Sequence, residues 1–283
     1  MFVLNLLSRL PLSLLYALTD CLYLFLYHVW RFRRQLSLSN LRNSFPDKSA
    51  AELDLIARQA YRNACKVIAE VLKGAVIGEQ ELRERVRIVN AEALTRFTRA
   101  GQTVILLASH HCNWEWLLLA GCLEPGVRVD AVYKPLRVAT MDRFFLEMRS
   151  RFGGNPISIK GFQTAILRHR GTARVLALAA DQTPPWNEKK RWSRFLNQDT
   201  AFFVGADRIA RIMRAPVFFA GMRRLRRGYY EARLQLLAEP PYSGAGPDVI
   251  ERYARAAEAH VAQYPADWLW MYRKWKYKKS PDA

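Results

Sequence analysis

The sequence predicts an α/β fold in which helices flank a central, mostly parallel β-sheet, preceded by an N-terminal membrane-associated helix. Two observations predict it. From residue 85 onward, short apolar runs rich in β-branched residues alternate with helical stretches, an order typical of a parallel sheet with helical crossovers. Ahead of them, the first stretch of the chain is almost uncharged. Hydrophobic residues make up 51% of the 283-residue chain, which is enough for a sizeable core.

The N-terminal segment has the length of a membrane span. Residues 2–30 carry only two formal charges, Arg9 and Asp20, and the stretch 10–30 reaches the ~20 residues that a helix needs to cross the hydrocarbon core. Pro11, Asp20 and several tyrosines interrupt its apolar character. The segment therefore either crosses the bilayer or lies in its interface, and a buried helix of a soluble protein is the alternative.

A basic cluster follows this segment, with arginines at 31, 33 and 34. Because basic residues flank membrane segments on the cytoplasmic side, the cluster predicts that the rest of the chain lies in the cytoplasm. We accordingly divide the chain into an N-terminal membrane anchor or interfacial helix, 1–34, and a second domain, 35–283.

The predicted elements follow in order. Residues 49–76 have helical periodicity, and Ser49 with Glu52 three residues later forms a capping-box pattern at the start. Apolar runs then predict strands at 86–89, 103–108, 127–133, 156–159, 173–180, 216–222 and 229–237. Helical stretches are predicted at 91–100, 114–121, 139–152, 161–170, 201–214 and 247–263.

The excess of basic over acidic residues indicates which kinds of partner the protein can bind. There are 44 Lys and Arg against 25 Asp and Glu, a formal net charge of +19. Such an excess favours a polyanionic partner, which can be nucleic acid, an anionic membrane face or an acidic carrier protein. The four cysteines are scattered without a CxxC pair, so the sequence contains neither a disulfide framework nor a zinc knuckle and favours a reduced, cytosol-facing body.

The candidate reactive residues lie where one predicted strand ends and a helix begins. The uncharged strand 103–108 leads into Ser-His-His-Cys-Asn, and Asn113 is a plausible N-cap of the next helix, which carries Glu115 in its first turn. A neutral histidine can accept the proton of an attacking hydroxyl, while a carboxylate on its other nitrogen fixes the tautomer. The spacing of His110 and Glu115 lets the two side chains meet, so we expect them to form such a pair.

Two other interpretations fit the same residues. Adjacent histidines are common in loops, and a glutamate in the first turn of a helix is favoured by the helix dipole without any catalytic role. His111 and Glu115 also stand four residues apart, as metal ligands on a helix do, but no third ligand is evident nearby. We therefore expect no metal and no cofactor.

The chain resembles the lysophospholipid acyltransferase superfamily, and within it the bacterial lipid A late acyltransferases. The resemblance begins with the HX4E motif at His110–Glu115, which reads HHCNWE here and has Cys112 where this branch often has glycine. The other matching segments, in the family's order, are the apolar N-terminus, SNLRNSFPDKS at 39–49, YKPL at 133–136, Asp142-Arg143, Arg149, Gly153, Asp181-Gln182 and WLWMYRKWK at 268–276.

The resemblance implies a glycerol-3-phosphate-acyltransferase-like fold and transfer of a fatty acyl group from an acyl-carrier-protein thioester to a lipid hydroxyl, with acyl-CoA as the alternative donor. His110 would be the general base and Glu115 its orienting carboxylate. The supporting or substrate-binding residues would be Lys134, Arg143, Arg149, Asp181 and Gln182. Residues 35–283 would form the acyltransferase domain, on the cytoplasmic side of a bacterial inner membrane.

The departures at Cys112 and Lys134 leave the acceptor open. A lipid A precursor is one choice; an ornithine lipid, a lysophospholipid or an aryl-polyene-type pigment lipid is another. The implied partners are the acyl carrier protein, an anionic lipid acceptor and the inner-membrane surface. The alternative classes are a non-catalytic membrane protein and a nucleic-acid-binding protein, although no nucleic-acid recognition motif is present and we expect no nucleic acid partner.

Overall fold

A mostly parallel seven-stranded sheet forms the centre of the protein, which confirms the predicted α/β class. The computed structural model describes residues 1–162, 164–165, 171–242 and 249–279. The sheet order is β1-β9-β8-β2-β5-β3-β4, and among these neighbours only β8 and β9 pair in antiparallel fashion. The strands are β1 (Val86–Ile88), β2 (Val104–Ala108), β3 (Val129–Tyr133), β4 (Asn155–Ser158), β5 (Val175–Ala179), β8 (Val217–Arg226) and β9 (Tyr229–Ala238).

Helices cover the sheet. The longest, α4, begins after Ser49, whose side chain accepts a hydrogen bond from the Glu52 amide while Glu52 bonds back to Ser49, as the capping-box pattern predicts. The helices are α1 (Phe2–Ser8), α2 (Leu12–Leu24), α3 (Arg34–Ser44), α4 (Ala50–Gly74), α5 (Glu79–Arg85), α6 (Glu92–Arg99), α7 (Trp114–Cys122), α8 (Ala139–Arg149), α9 (Gly205–Met213) and α10 (Val249–Gln263). Most of the predicted helix at 161–170 lies outside the described residues.

Strand β2 lies in the middle of the sheet and is buried, as its uncharged sequence predicts. It pairs in parallel with β5, and Ala108 at its end is opposite Ala179 at the end of β5. Because parallel strands end at the same edge, the chain segments that follow these two residues emerge side by side.

A second, two-stranded sheet was not predicted from the sequence. The predicted helix at 201–214 begins only at Gly205, because β7 (Gln198–Phe203) pairs with β6 (Lys190–Phe195) as an antiparallel hairpin. The turn between them consists of Leu196 and Asn197, both with positive φ, which is the backbone that a two-residue hairpin turn requires. Asparagine tolerates this conformation and leucine does not favour it, so the turn is difficult to recognise from sequence.

Helix α2 continues through a short π-helical turn, Phe25–Val29, and packs along α4. Within the described part of the chain, the segment Leu12–Val29 is the one helix long and apolar enough to cross a membrane, and 28% of it is buried against the rest of the protein.

Candidate active site

His110 and Asp181 meet at the carboxyl edge of the sheet. His110 follows β2 and Asp181 follows β5, and the amide of Ala180 donates to the carbonyl of Ala108 between them. This is the position in which parallel sheets gather functional groups, because the loops after neighbouring strands converge there.

The contact between the two side chains is direct. Nδ1 of His110 lies 2.6 Å from Oδ1 of Asp181, and the backbone amide of His110 donates to Oδ2 at 2.9 Å. The indole of Trp268 donates to the same Oδ2 at 3.0 Å. The other ring nitrogen, Nε2, faces Gln182 at 3.2 Å, and the side chain of His110 remains 15% exposed. Asp181 therefore holds the imidazole with Nε2 directed toward the open side.

The electrostatics of this pair make the imidazole more basic. Burial lowers the pKa of His110, but the negative charge and hydrogen bond of Asp181, with a smaller contribution from Glu115, outweigh it and raise the pKa above its ordinary value. Burial likewise raises the pKa of Asp181, and the charge and hydrogen bonds of His110 together with the Trp268 bond reverse this and lower it. The carboxylate therefore stays ionised and stabilises an imidazolium.

Glu115 has a different partner from the one expected. Its carboxylate accepts two hydrogen bonds from Arg149, at 2.8 and 2.5 Å, and one from the indole of Trp114 at 3.1 Å. The carboxylate that contacts Nδ1 of His110 is Asp181. The reason is the sheet order: β5 borders β2, whereas the first turn of α7 presents Glu115 to the end of α8, which carries Arg149.

Trp114 connects the two pairs. Its ring packs edge-on against His110 with 4.8 Å between centroids, while its Nε1 donates to Glu115. The ion pair is largely buried, with Glu115 3% and Arg149 19% exposed at the side chain. Bidentate pairing of this kind fixes both groups, so the site contains a His110–Asp181 pair beside a rigid Glu115–Arg149 pair.

The other predicted site residues divide into two groups. Gln182 lies at the imidazole, as described. Lys134 follows β3 and is exposed, and Arg143 lies on α8 with its side chain 73% exposed in an ion pair with Glu147. The structure thus brings five of the seven predicted residues into the two pairs and their immediate contacts, and it leaves Lys134 and Arg143 on the surface.

The sequence interpretation overlooked Glu70, a fully buried carboxylate on α4. It accepts hydrogen bonds from the Tyr16 hydroxyl at 2.9 Å, the Tyr230 hydroxyl at 2.6 Å and the Asn113 amide at 2.9 Å. Asn113 is also the N-cap of α7, since its side chain accepts from the Trp116 amide. Glu70 could have been identified from the sequence, because it is a charged residue on the side of the helix where the other residues are apolar.

His111 points away from the site, into the interior. Its ligand atom, the thiol of Cys112 and a carboxylate oxygen of Asp267 lie within 4.8 Å of one another, as the ligands of a metal would. Asp267, however, accepts from Arg224 at 2.9 Å and from Asn63 at 3.1 Å, which places a fixed cation against the cluster. We interpret the cluster as part of the core. The metal ligand set considered from sequence, His111 with Glu115, does not come together because Glu115 is bound by Arg149.

The arrangement can perform proton transfer. Nε2 of His110 contacts the Gln182 side chain, and the partner carboxylate on Nδ1 is ionised. In the described residues the hydrogen-bond contacts of this imidazole include no serine or cysteine side chain that could act as a nucleophile. Such a pair can activate a hydroxyl that belongs to a substrate.

Comparison with known proteins gives a consistent result. A family model described as "Bacterial lipid A biosynthesis acyltransferase" matches residues 1–277. The chain is 23% identical over 156 residues to a lipid A biosynthesis acyltransferase of Haemophilus influenzae, a match that covers 54% of this chain and about half, 48%, of that protein. It is also 23% identical over 265 residues to lipid A biosynthesis acyltransferase 2 of Shigella flexneri, covering 89% of this chain and 81% of that protein.

Proposed function

The chain belongs to the bacterial lipid A biosynthesis acyltransferase family, which implies an O-acyltransferase, and we propose that it transfers a fatty acyl group from an acyl-carrier-protein thioester to a hydroxyl of a lipid A precursor. The observation that carries the proposal is the 2.6 Å contact between His110 and Asp181, which directs Nε2 of the imidazole to the partly exposed side next to Gln182. The His–Glu pair expected from the sequence becomes, in this proposal, a His110–Asp181 pair supported by Glu115 and Arg149.

The reaction is direct transfer. Nε2 of His110 removes the proton of the acceptor hydroxyl as its oxygen attacks the thioester carbonyl carbon. The tetrahedral intermediate collapses with cleavage of the carbon–sulfur bond, and the imidazolium returns the proton to the leaving thiolate. Asp181 stays ionised throughout and stabilises the imidazolium. The ester and the free thiol are the products.

Gln182 and Arg149 support this step. The Gln182 amide lies 3.2 Å from Nε2 of His110, so it borders the position of the reacting carbonyl and can donate a hydrogen bond to the developing oxyanion. Arg149 is held by Glu115 at the edge of the site, where a buried guanidinium attracts an anionic part of the substrate. In this proposal Glu115 positions Arg149 and contributes negative charge that raises the pKa of His110.

The net charge supports the proposed donor and location. The net charge of +19 suits an acidic carrier protein and the anionic face of a bacterial inner membrane, with residues 35–283 on the cytoplasmic side. Exposed basic side chains near the site, such as Lys134, are available to meet the carrier or the lipid head group. Acyl-CoA is the alternative donor, and an ornithine lipid, a lysophospholipid or a pigment lipid is the alternative acceptor.

The test is a comparison of lipid extracts by mass spectrometry. Cells that lack the protein are complemented with the wild type, His110→Ala, Asp181→Asn or Glu115→Gln. We expect the deletion strain to contain a lipid A species lighter by one acyl chain, and we expect only the wild type to restore it fully. Asp47→Asn, an exposed carboxylate away from the site, is the matched control and should restore it as well.

Two outcomes contradict the proposal. If His110→Ala and Asp181→Asn both restore the heavier species at wild-type levels, the base mechanism is wrong. If the lipid that changes is not lipid A, the acceptor is wrong while the chemistry stands.

A further inference from the structure

The segment made of α1, α2 and the π-helical turn up to residue 30 is apolar on two opposite sides. On one side Leu15, Tyr16, Tyr23 and Tyr27 are buried against the protein body. On the other side Phe2, Leu6, Leu14, Leu18, Phe25 and Trp30 are 45–80% exposed. We call these six residues the apolar face. A helix that is apolar all round and packed on one side only leaves the other side to be covered by something apolar.

Polar contacts tie α2 to the body along its length. The Tyr16 hydroxyl donates to the buried Glu70, and the Tyr27 hydroxyl donates to Asp54 at 2.7 Å. Asp20 lies 3.9 Å from Arg62 and 3.8 Å from a second arginine, Arg227. A helix that crossed the bilayer would have to leave α4, which would break all of these contacts. The unpaired hydroxyls and the Asp20 carboxylate would then enter hydrocarbon at a cost of several kcal/mol.

A basic groove begins where the apolar face ends. Arg31, directly after Trp30, lines an open groove of about 610 Å³ together with Arg33, Arg34 and Arg273. Arg31 and Arg33 have positive φ values of 53° and 52°, and Arg33 is anchored by a hydrogen bond to the Met271 carbonyl at 3.1 Å. A non-glycine residue in this conformation is strained, so the chain maintains a strained turn that presents arginines to the groove.

We propose that α1 and α2 lie in the plane of an anionic phospholipid surface, with the apolar face at the acyl boundary and the arginine groove on lipid phosphates, instead of crossing the bilayer. The proposal rests on the membrane association included in the proposed function. The combination of exposed leucine, phenylalanine and tryptophan with an adjoining cluster of arginines matches the two layers of a lipid interface, hydrocarbon and anionic head groups. A free phosphate could occupy the groove, but it leaves the apolar face uncovered.

Vesicle flotation of the full chain tests the surface. We expect the protein to float with vesicles of phosphatidylcholine and phosphatidylglycerol, and to float far less with phosphatidylcholine alone. Reversing two arginines, in Arg31→Glu with Arg273→Glu, should weaken the partition about tenfold or more, because each basic residue near an anionic surface contributes ~1 kcal/mol. Arg87→Glu reverses an exposed arginine outside the groove and should leave the partition within about twofold.

A second test variant and its control examine the apolar face. Leu18→Asp with Phe25→Asp should abolish flotation, whereas Ile212→Asp, at a residue 70% exposed on α9, should not. If added inorganic phosphate raises the melting temperature through the groove while the arginine variants float normally, the groove binds free phosphate and the proposal is overturned.

The side of the membrane on which each terminus lies distinguishes a helix in the membrane plane from a helix that crosses the bilayer. With one epitope tag at each terminus, protease added to sealed inverted membrane vesicles should digest both tags, because both termini lie on the cytoplasmic side. Protection of the N-terminal tag alone means that the helix crosses, which overturns the proposal. If His110→Ala and Asp181→Asn restore the heavier lipid at wild-type levels while both tags are digested, the proposed reaction is overturned and this surface stands.

Discussion

Two histidines adjacent in the chain occupy opposite environments. His110 contacts Asp181 and Gln182 at the open edge of the sheet, whereas neither ring nitrogen of the buried His111 has a hydrogen-bond partner in the part of the chain that the structure describes. The pKa of His110 is raised, chiefly because the charge of Asp181 outweighs burial, and the pKa of His111 is lowered well below its ordinary value by burial and by the neighbouring His260.

The direction of the backbone in this loop therefore decides which of the two histidines reaches the open edge of the sheet. Successive side chains turn to opposite sides as the chain leaves β2, and Cys112, with φ of 52°, then redirects it into α7. One imidazole therefore gains a carboxylate and access to substrate, and the next is enclosed beside Cys112 and Asp267. The identity of the residue is the same in both positions, so only the environment distinguishes a base from a core side chain.

The largest expected effect is that of His110→Ala. Removing the base should lower kcat by about 10³–10⁴-fold, because general base catalysis accounts for a factor of this order. His111→Ala should leave kcat of the folded protein within about tenfold and lower its melting temperature, because it opens a cavity in the core. The measurement is acyl transfer from a purified thioester donor, with thermal unfolding in parallel. A large loss of kcat in His111→Ala with unchanged melting would reverse the assignment of the two histidines.

Asp181→Asn should cost no more than removal of the imidazole. The amide occupies the same space but leaves the imidazolium unsupported and permits the wrong tautomer, so kcat should fall by up to about 10⁴-fold. It should also move the acid limb of the kcat/KM profile to lower pH, because the carboxylate charge raises the pKa of His110. Glu115→Gln should shift the same limb in the same direction by less, since Glu115 contributes less to that pKa. An unshifted limb in Asp181→Asn would assign the pH dependence to another group.

The two histidines should also have opposite effects on stability as pH changes. His111 has a lowered pKa when folded, so the unfolded chain binds the extra proton and stability is lost as pH falls below about 6.5. His110 has a raised pKa, so its contribution is present below about 6.5 and is lost as pH rises through the folded value.

Urea unfolding as a function of pH measures this difference. His111→Phe replaces the titrating ring with an aromatic ring that does not titrate, and its free energy of unfolding should improve relative to the wild type as pH falls. His110→Phe should show the reverse trend. Parallel curves for the two variants would contradict the opposite environments.

The smallest effect concerns Cys112. Cys112→Ala and Cys112→Gly both remove the thiol, whose hydrogen bond to the Met222 carbonyl is 3.2 Å long, but only glycine relieves the positive φ. Glycine should therefore be more stable than alanine by about 1 kcal/mol, measured by denaturant unfolding. At Cys65, on the regular helix α4, the same two substitutions should rank in the opposite order.

Sequence patterns specified much of this molecule. The buried run before His110 predicted β2, and the Ser49 and Glu52 pattern predicted the start of α4, because both depend on local periodicity and capping. The position of Asp181 at a strand end also followed from the rule for parallel sheets. These features are encoded within a few residues of the chain.

Which site residues contact each other could not be predicted from the sequence. Whether Asp181 or Glu115 reaches His110 depends on β5 lying beside β2, and strand order is a property of the whole sheet. The partner of Glu115 depends likewise on where α8 ends, at Arg149. The hairpin of β6 and β7 was missed for a different reason, since its turn residues, Leu196 and Asn197, carry no strong turn signal.

The contacts of the Glu70 carboxylate predict what an N-terminal truncation of this protein would do. The carboxylate accepts from Tyr16 of α2 and also from Asn113, which starts the helix that carries Glu115. Deleting residues 1–34 removes the Tyr16 hydroxyl and uncovers a fully buried charge one side chain away from the active site. A shortened chain should thus lose enzyme turnover along with its lipid contact, whereas detergent solubilisation of the intact chain should keep the Tyr16–Glu70 contact and therefore turnover.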